Sequence, residues 1–256
     1  MIDAHVHLWQ LGAHGCIWPT PDLSAIHRDV ELAELRALTA ANDVDGVLLV
    51  QSQEDATDTD WLLSLADDPL VKGVVGWADL AGPLPVHPAL KGLRPMVQDR
   101  GNDWYDDPAL DRGLAEMAGH GLVLDALIRP RHLPSLQRLA GRHSALSIVI
   151  DHAAKPDAND LPGWIAGVRA IATCPNAACK LSGLVTEPGL MAHIDEIMAT
   201  LLDAFGIERL IWGSDWPVLT LAGDYAGWRK RAQALIDPAA LDAVFDGNAR
   251  RLYALD

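Results

Sequence analysis

The chain reads as an α/β protein: a single-domain, distorted (β/α)8 TIM barrel over residues 1–256. Three observations predict this. Eight short runs rich in Val, Ile and Leu mostly alternate with helical patterns, which is the signature of a parallel sheet closed on itself. The runs are nearly continuous in apolar residues, as strands covered on both faces are. Histidines and acidic residues gather just after these runs, at the end of such a barrel where binding and catalytic groups collect.

The first strand is Ile2-Asp3-Ala4-His5-Val6-His7, followed by a long irregular loop holding Gly12, Gly15, Trp18, Pro19 and Pro21. A loop of that length is more often functional than idle. Glu31 to Ala41 is helical, with Leu32, Leu35 and Leu38 on one stripe. Gly46 to Gln51 is a strand, and Thr59 to Ala66 a helix ended by Asp68-Pro69. Gly73 to Trp77 and Leu90 to Arg94 are strands. Pro83, Pro85 and Pro88 between them leave no room for a normal helix and predict a proline-rich crossover. The alternation then resumes: helix Pro108 to Gly119, strand Leu122 to Leu127, helix Leu133 to Gly141, strand Leu146 to His152, helix Pro162 to Ala172, strand Ala178 to Gly183, helix Leu190 to Phe205 and strand Arg209 to Asp215. Helices Trp228 to Ile236 and Leu241 to Leu252 close the chain. An open doubly wound sheet is the competing fold, but no Gly-x-Gly-x-x-Gly follows the first strand.

A net charge of −15 argues against nucleic acid or an anionic membrane as partner and leaves a small molecule as the expected one. No apolar run nears the roughly 18 residues a membrane helix needs. The chain opens on a strand, so no signal peptide is expected. Cys16, Cys174 and Cys179 show no Cys-x-x-Cys spacing and read as reduced thiols of a cytoplasmic protein. A homo-oligomer remains open.

Residues two apart on a strand point the same way, so His5 and His7 face one point and form half of a metal or catalytic site. The bland alternative is two hydrogen-bonded histidines at a strand end. His152, just past its strand, could equally cap the next turn. Asp215 could cap a helix, although Pro217 resists a regular turn there. Arg94 is either a structural ion pair or a bidentate partner for a carboxylate or polarised carbonyl. Gln51 and Gln53, Asp79 and Asp125 also stand at strand ends, and Lys180 and Ser182 read as structural.

His5-Val6-His7-Leu8-Trp9, Lys91-Gly92-Leu93-Arg94 with Gln98-Asp99, Asp151-His152-Ala153-Ala154-Lys155-Pro156, Gly213-Ser214-Asp215-Trp216-Pro217-Val218 and Asn248 to Tyr253 together resemble the amidohydrolase superfamily. More narrowly, they resemble its amidohydrolase 2 branch of sugar lactonases and pyrone-dicarboxylate lactonase-like hydrolases. The resemblance spans nearly the whole chain. It implies a hydrolase, and its members similar to L-rhamnono- and L-fuconolactonases open sugar-acid lactones. It also implies that the ion can be dispensable where its ligands persist. One departure is plain: Asp125 stands at the end of strand five, where a carbamylated lysine would bridge two ions.

These residues assemble into one expectation. Asp215 is the general base, taking a proton from water and returning it to the leaving oxygen. His5, His7 and His152 polarise the carbonyl, directly or through at most one divalent ion held by His5, His7 and Asp215, zinc being favoured by the nitrogen–oxygen set. Arg94 orients the substrate, and Gln51 and Trp9 line the pocket. A metal-dependent decarboxylase or amide hydrolase on the same barrel, and a non-catalytic sugar-acid binding protein, are the competing functions.

Overall fold

The computed structural model describes residues Met1–Asp256. Its one sheet holds eight parallel strands in chain order: β1 Ile2–Val6, β2 Gly46–Val50, β3 Val71–Gly76, β4 Leu90–Leu93, β5 Val123–Ala126, β6 Ile148–Ile150, β7 Ala177–Leu181 and β8 Leu210–Trp212. At the seam of this distorted barrel, β1 and β8 meet through Asp215 N donating to the His5 carbonyl (2.9 Å) and His7 N to that of Trp216 (2.8 Å). Eight helices surround it: α1 Leu32–Ala40, α2 Ala56–Ser64, α3 Asp111–Gly119, α4 Leu133–Arg142, α5 Leu161–Ala172, α6 Ile194–Phe205, α7 Tyr225–Ala234 and α8 Asn248–Tyr253. No helix lies between β3 and β4, where the three prolines stand.

Several boundaries differ from the sequence reading, each for a local reason. α2 begins three residues before Thr59 because Asp55 accepts from Thr57 N (2.8 Å) and caps it. α7 begins at Tyr225 because Asp224 accepts from Gly227 N in the same way. The single helix expected from Leu190 is split, a tight turn over Leu190–His193 preceding α6. β6 stops at Ile150 because the next residues turn left-handed.

Two apolar clusters fill the protein. The larger, of 59 buried residues, packs the helices onto the outside of the sheet. The smaller, of 11, includes Ile2, Ala4, Leu48, Val50, Val75, Val123, Val149, Ala178 and Ile211 and plugs the barrel's interior. Positions two residues further along the same strands also point inward, because side chains alternate with period two. There β5 and β7 carry Asp125 and Lys180, and Asp151 stands just past the end of β6, all fully buried. No helix is long and apolar enough to cross a membrane.

A candidate metal-binding active site

β1 reaches the centre through an irregularity. Asp3 turns outward, its Oδ2 accepting from the Tyr225 hydroxyl (2.8 Å) and its Oδ1 from Ser214 N (2.8 Å). The pairing of β1 with β2 slips between Asp3 and Val6, an extra residue that changes the parity of the strand. His5 and His7 then face inward together, with their Nε2 atoms 3.1 Å apart. β8 must pass close by: a Cβ on Gly213 would lie 2.7 Å from that of His5, so only glycine fits there.

Asp215 follows β8 in a left-handed conformation, φ +63°. Its carboxylate does not cap the turn that follows. Instead Oδ1 lies 3.4 Å from His7 Nε2, 3.7 Å from His5 Nε2 and 4.0 Å from His152 Nε2. Burial alone would raise this carboxyl's pKa, but His152, His7 and His5 outweigh it and hold it well below the ordinary value, so it is a carboxylate at neutral pH.

His152 arrives by the least usual backbone in the molecule. Residues 152 to 155 are all left-handed, with φ of +53°, +51°, +61° and +51°, although none is glycine. Each such residue costs about 1–2 kcal/mol. The turn is anchored by Trp164, whose Nε1 donates to the Ala153 carbonyl at 2.7 Å, and Ala153 and Ala154 are wholly buried. His152 Nδ1 meets the Ser182 hydroxyl at 2.9 Å, and Gly183, at φ +62°, leaves the space beside the ring that a Cβ would fill. The His5 and His152 ring centroids are 4.6 Å apart, so the predicted convergence of strands one and six is present. Burial keeps both rings neutral, lowering His5 well below its ordinary pKa and His152 to about 4.

Arg94, just beyond β4, is nearly buried. It donates through Nη2 to the Gln51 carbonyl and places Nη1 3.5 Å from His5 Nε2 and 3.6 Å from Asp151. The structure therefore gathers His5, His7, His152, Asp215 and Arg94. Two further expectations need correction. Gln51 is fully buried behind the wall, its amide spent on the Arg94 carbonyl (2.8 Å). Trp9 is also fully buried, bonded to the Arg28 carbonyl (2.7 Å) and packed edge-on against Trp18. Their neighbours Gln53 and Trp18 line the cavity instead. Gln53 binds the loop there, accepting from Ile17 N (3.0 Å) and donating to the Trp18 carbonyl (2.7 Å).

Sequence reasoning passed over Asp151, which meets Lys180, read there as structural, beneath the site. The Lys180 ammonium lies 2.7 Å from Asp125, 3.0 Å from Asp151 and 3.3 Å from His5 Nδ1. Burial would discharge it, but the two carboxylates keep it an ammonium. The inward parity of Val149 and Asp151, and of Ala178 and Lys180, was the available signal. Ser182, also read as structural, touches the His152 ring.

The ligand atoms suit a single divalent ion. Two nitrogens at about 2.0–2.1 Å from one tetrahedral zinc stand roughly 3.3 Å apart, close to the 3.1 Å between the two Nε2 atoms. His7 Nδ1 faces the Val50 carbonyl at 2.8 Å, which can only accept, so the ring proton sits there and Nε2 offers its lone pair. His5, His7 and Asp215 thus form a candidate divalent-metal site. A second cluster of His5, Asp151 and His152 shares His5, but the Lys180 ammonium already occupies the carboxylate's neighbourhood.

Above these groups opens a cavity of about 480 Å³. Its lining mixes polar side chains, among them Ser52, Gln53, Gln98, Asp99 and Thr186, with apolar ones, Ile17, Trp18, Met96, Leu127 and Val218. Its second cation, Lys155, is paired with Glu187 at 3.0 Å.

A family model described as amidohydrolase matches residues 2–255. The chain is 41% identical to an L-fucono-1,5-lactonase of Burkholderia ambifaria, over 100% of this chain and 96% of that protein. It is 36% identical to an L-fucono-1,5-lactonase of Burkholderia multivorans, over 99% and 96% respectively. An amidohydrolase from Burkholderia multivorans, solved with bound zinc, superposes with a TM-score of 0.92 at 34% identity, over 100% of this chain and 99% of that one.

Proposed function

The chain belongs to the amidohydrolase family, and on that premise we propose that it hydrolyses a small lactone, the cyclic ester of a sugar acid. The observation that carries this reading is the convergence of three imidazoles, one carboxylate and one guanidinium at the floor of a cavity of about 480 Å³. The cavity's walls favour a neutral polyhydroxylated ring over a dianion. Amides, hydroxyls and carboxylates can exchange hydrogen bonds with sugar hydroxyls, while Arg94 is shared with Gln51 and Asp151 and Lys155 with Glu187. The two Burkholderia L-fucono-1,5-lactonases support the same class.

Opening such a ring requires water to add to the carbonyl carbon and the ring C–O bond to break, giving a hydroxy acid. The Asp215 carboxylate takes the proton of the attacking water and returns it to the departing ring oxygen, so no net proton is consumed at this step. His152 Nε2 and Arg94 Nη1 face the reacting centre and orient the carbonyl. When bound to His5, His7 and Asp215, a divalent ion supplies Lewis acidity to that carbonyl.

The test is turnover of a panel of 1,4- and 1,5-aldonolactones at neutral pH, read by acid release and corrected for spontaneous opening. Elemental analysis of the same preparation accompanies it. Acceleration of at least one sugar lactone, with one zinc ion or none per chain, is expected. A preparation that opens no lactone but decarboxylates or cleaves amides would overturn the lactonase reading, and two ions per chain would overturn the single-site reading.

A further inference from the structure

We propose that Lys180 and Asp151 form a two-way partner for Nδ1 of His5, allowing this ring to serve through Nε2 either as a metal ligand or as a hydrogen-bond donor. The inference rests on the single-ion reading of the site. It begins from the 3.1 Å between the Nε2 atoms of His5 and His7. Two nitrogens that close cannot both present lone pairs to each other without an ion or a proton between them. His7 has no choice, because the Val50 carbonyl fixes its proton on Nδ1.

His5 has a choice, and its other nitrogen is placed for both outcomes. Nδ1 lies 3.3 Å from the Lys180 ammonium, which only donates, and 3.4 Å from Asp151 Oδ1, which only accepts. With an ion on Nε2, the ring proton sits on Nδ1 and is given to Asp151. Without one, the proton sits on Nε2, pointing at His7 or at a substrate carbonyl, and Nδ1 accepts from Lys180. The ring stays neutral in both forms; one proton changes nitrogen. Asp151 Oδ1 faces the Lys180 ammonium at 3.0 Å and Oδ2 faces Arg94 Nη1 at 3.6 Å, neither in good hydrogen-bond geometry, so a lone pair of Oδ1 remains for the ring proton. The Arg94 Nη1 contact with Nε2, at 3.5 Å, is too long to impose a form.

The surroundings hold donor and acceptor side by side. Lys180 is clamped by Asp125 at 2.7 Å, and the Tyr253 hydroxyl donates to Asp125 at 2.8 Å. All of these side chains are buried to within 1% of full occlusion, so water does not compete. A site built this way works with its ion and keeps a polarising N–H when the ion is lost.

The decisive measurement is long-range 1H–15N correlation of the histidine rings in 15N-histidine-labelled protein, with zinc added and after its removal by chelation, zinc content being measured on both. His7 is expected as the Nδ1–H tautomer in both forms. His5 is expected as Nδ1–H with zinc and Nε2–H without. The same His5 tautomer in both forms overturns the proposal, whereas failure to take up zinc at all overturns the single-ion reading beneath it. Two variants separate the partners by the sign of their effect on zinc affinity, measured against a chromophoric chelator. Asp151→Ala leaves the Lys180–Asp125 pair neutral and should weaken zinc binding about 10- to 100-fold, as loss of an orienting partner does. Lys180→Met combined with Asp125→Asn should strengthen it by about tenfold, the value of one charge-assisted hydrogen bond to the ion-free ring. Weakening by both variants, with cooperative melting retained, would mean that Lys180 is structural only.

Discussion

The interior of the barrel has two layers built from the same strands, one pleat apart. In the lower layer β5, β6 and β7 present Val123, Val149 and Ala178; in the upper β5 and β7 present Asp125 and Lys180, and Asp151 stands just past the end of β6. The backbone is the same, and so is the burial. What differs is what each layer requires of its neighbours. An apolar side chain needs only volume filled, at about 25 cal/mol per Å² removed from water. A buried charge needs a partner placed to within a few tenths of an ångström, or its desolvation dominates. The lower layer can therefore hold the barrel together without specific geometry, while the upper layer specifies geometry at a cost in stability.

Substitutions in the two layers should separate activity from stability. The largest expected effect is Asp215→Asn, which keeps the side chain's shape and removes the base. Lactone turnover should fall by about 10² to 10⁴ while the melting curve stays cooperative. Turnover near the wild-type rate would make Asp215 a structural residue and dissolve the distinction between the layers at its most exposed point.

Leu48→Ala tests the other side. Leu48 is fully buried in the lower plug, and its truncation should cost about 2–5 kcal/mol in denaturant unfolding. The rate of the remaining folded enzyme should be unchanged. A collapse of kcat at intact folded concentration would show that the layers are mechanically coupled.

Trp164→Phe lies between the extremes. It removes the hydrogen bond that anchors the left-handed turn of His152 while keeping an aromatic ring in place. A loss of about 1–2 kcal/mol of stability is expected, with a several-fold fall in kcat as His152 relaxes. Stability lost without change in kcat would show that Ser182 alone holds the ring.

The smallest effect concerns the rim. Asp58 accepts from Ser52 N (3.0 Å) and Gln53 N (3.4 Å), fixing that wall of the cavity, and burial raises its pKa to about 6. A carboxyl raised on folding binds its proton more tightly in the folded state. The stability it contributes is thus complete below about pH 4 and is lost as pH rises through about 6. Asp58→Asn should flatten the stability profile between about pH 4 and 6 while leaving lactone turnover nearly unchanged. An unchanged slope between pH 4 and 7 would assign that pH dependence to other groups.

The layers also mark how far the sequence could be read. Apolar runs and their alternation with helices were enough for the eight strands, the parallel order and the missing crossover helix. These depend on local pattern and on burial, which is not directional. The motifs around His5, Arg94, His152 and Asp215 likewise gave the residues that meet at the cavity floor. Gln51 and Trp9 were misplaced because pointing into a cavity or behind its wall is decided by one residue of strand parity and by loop course.

The sequence by itself determined the fold and the chemical types at the site, because hydrophobic periodicity and motif spacing are written along the chain. Only the tertiary structure decided who pairs with whom. The bulge that turns His5 inward, the left-handed turn that delivers His152, and the meeting of Lys180 with Asp125, Asp151 and His5 from four strands arise across separations of 55 and 175 residues. A hydrogen bond is directional and short-ranged, and no periodicity along a chain records which distant donor will lie 3 Å from which acceptor.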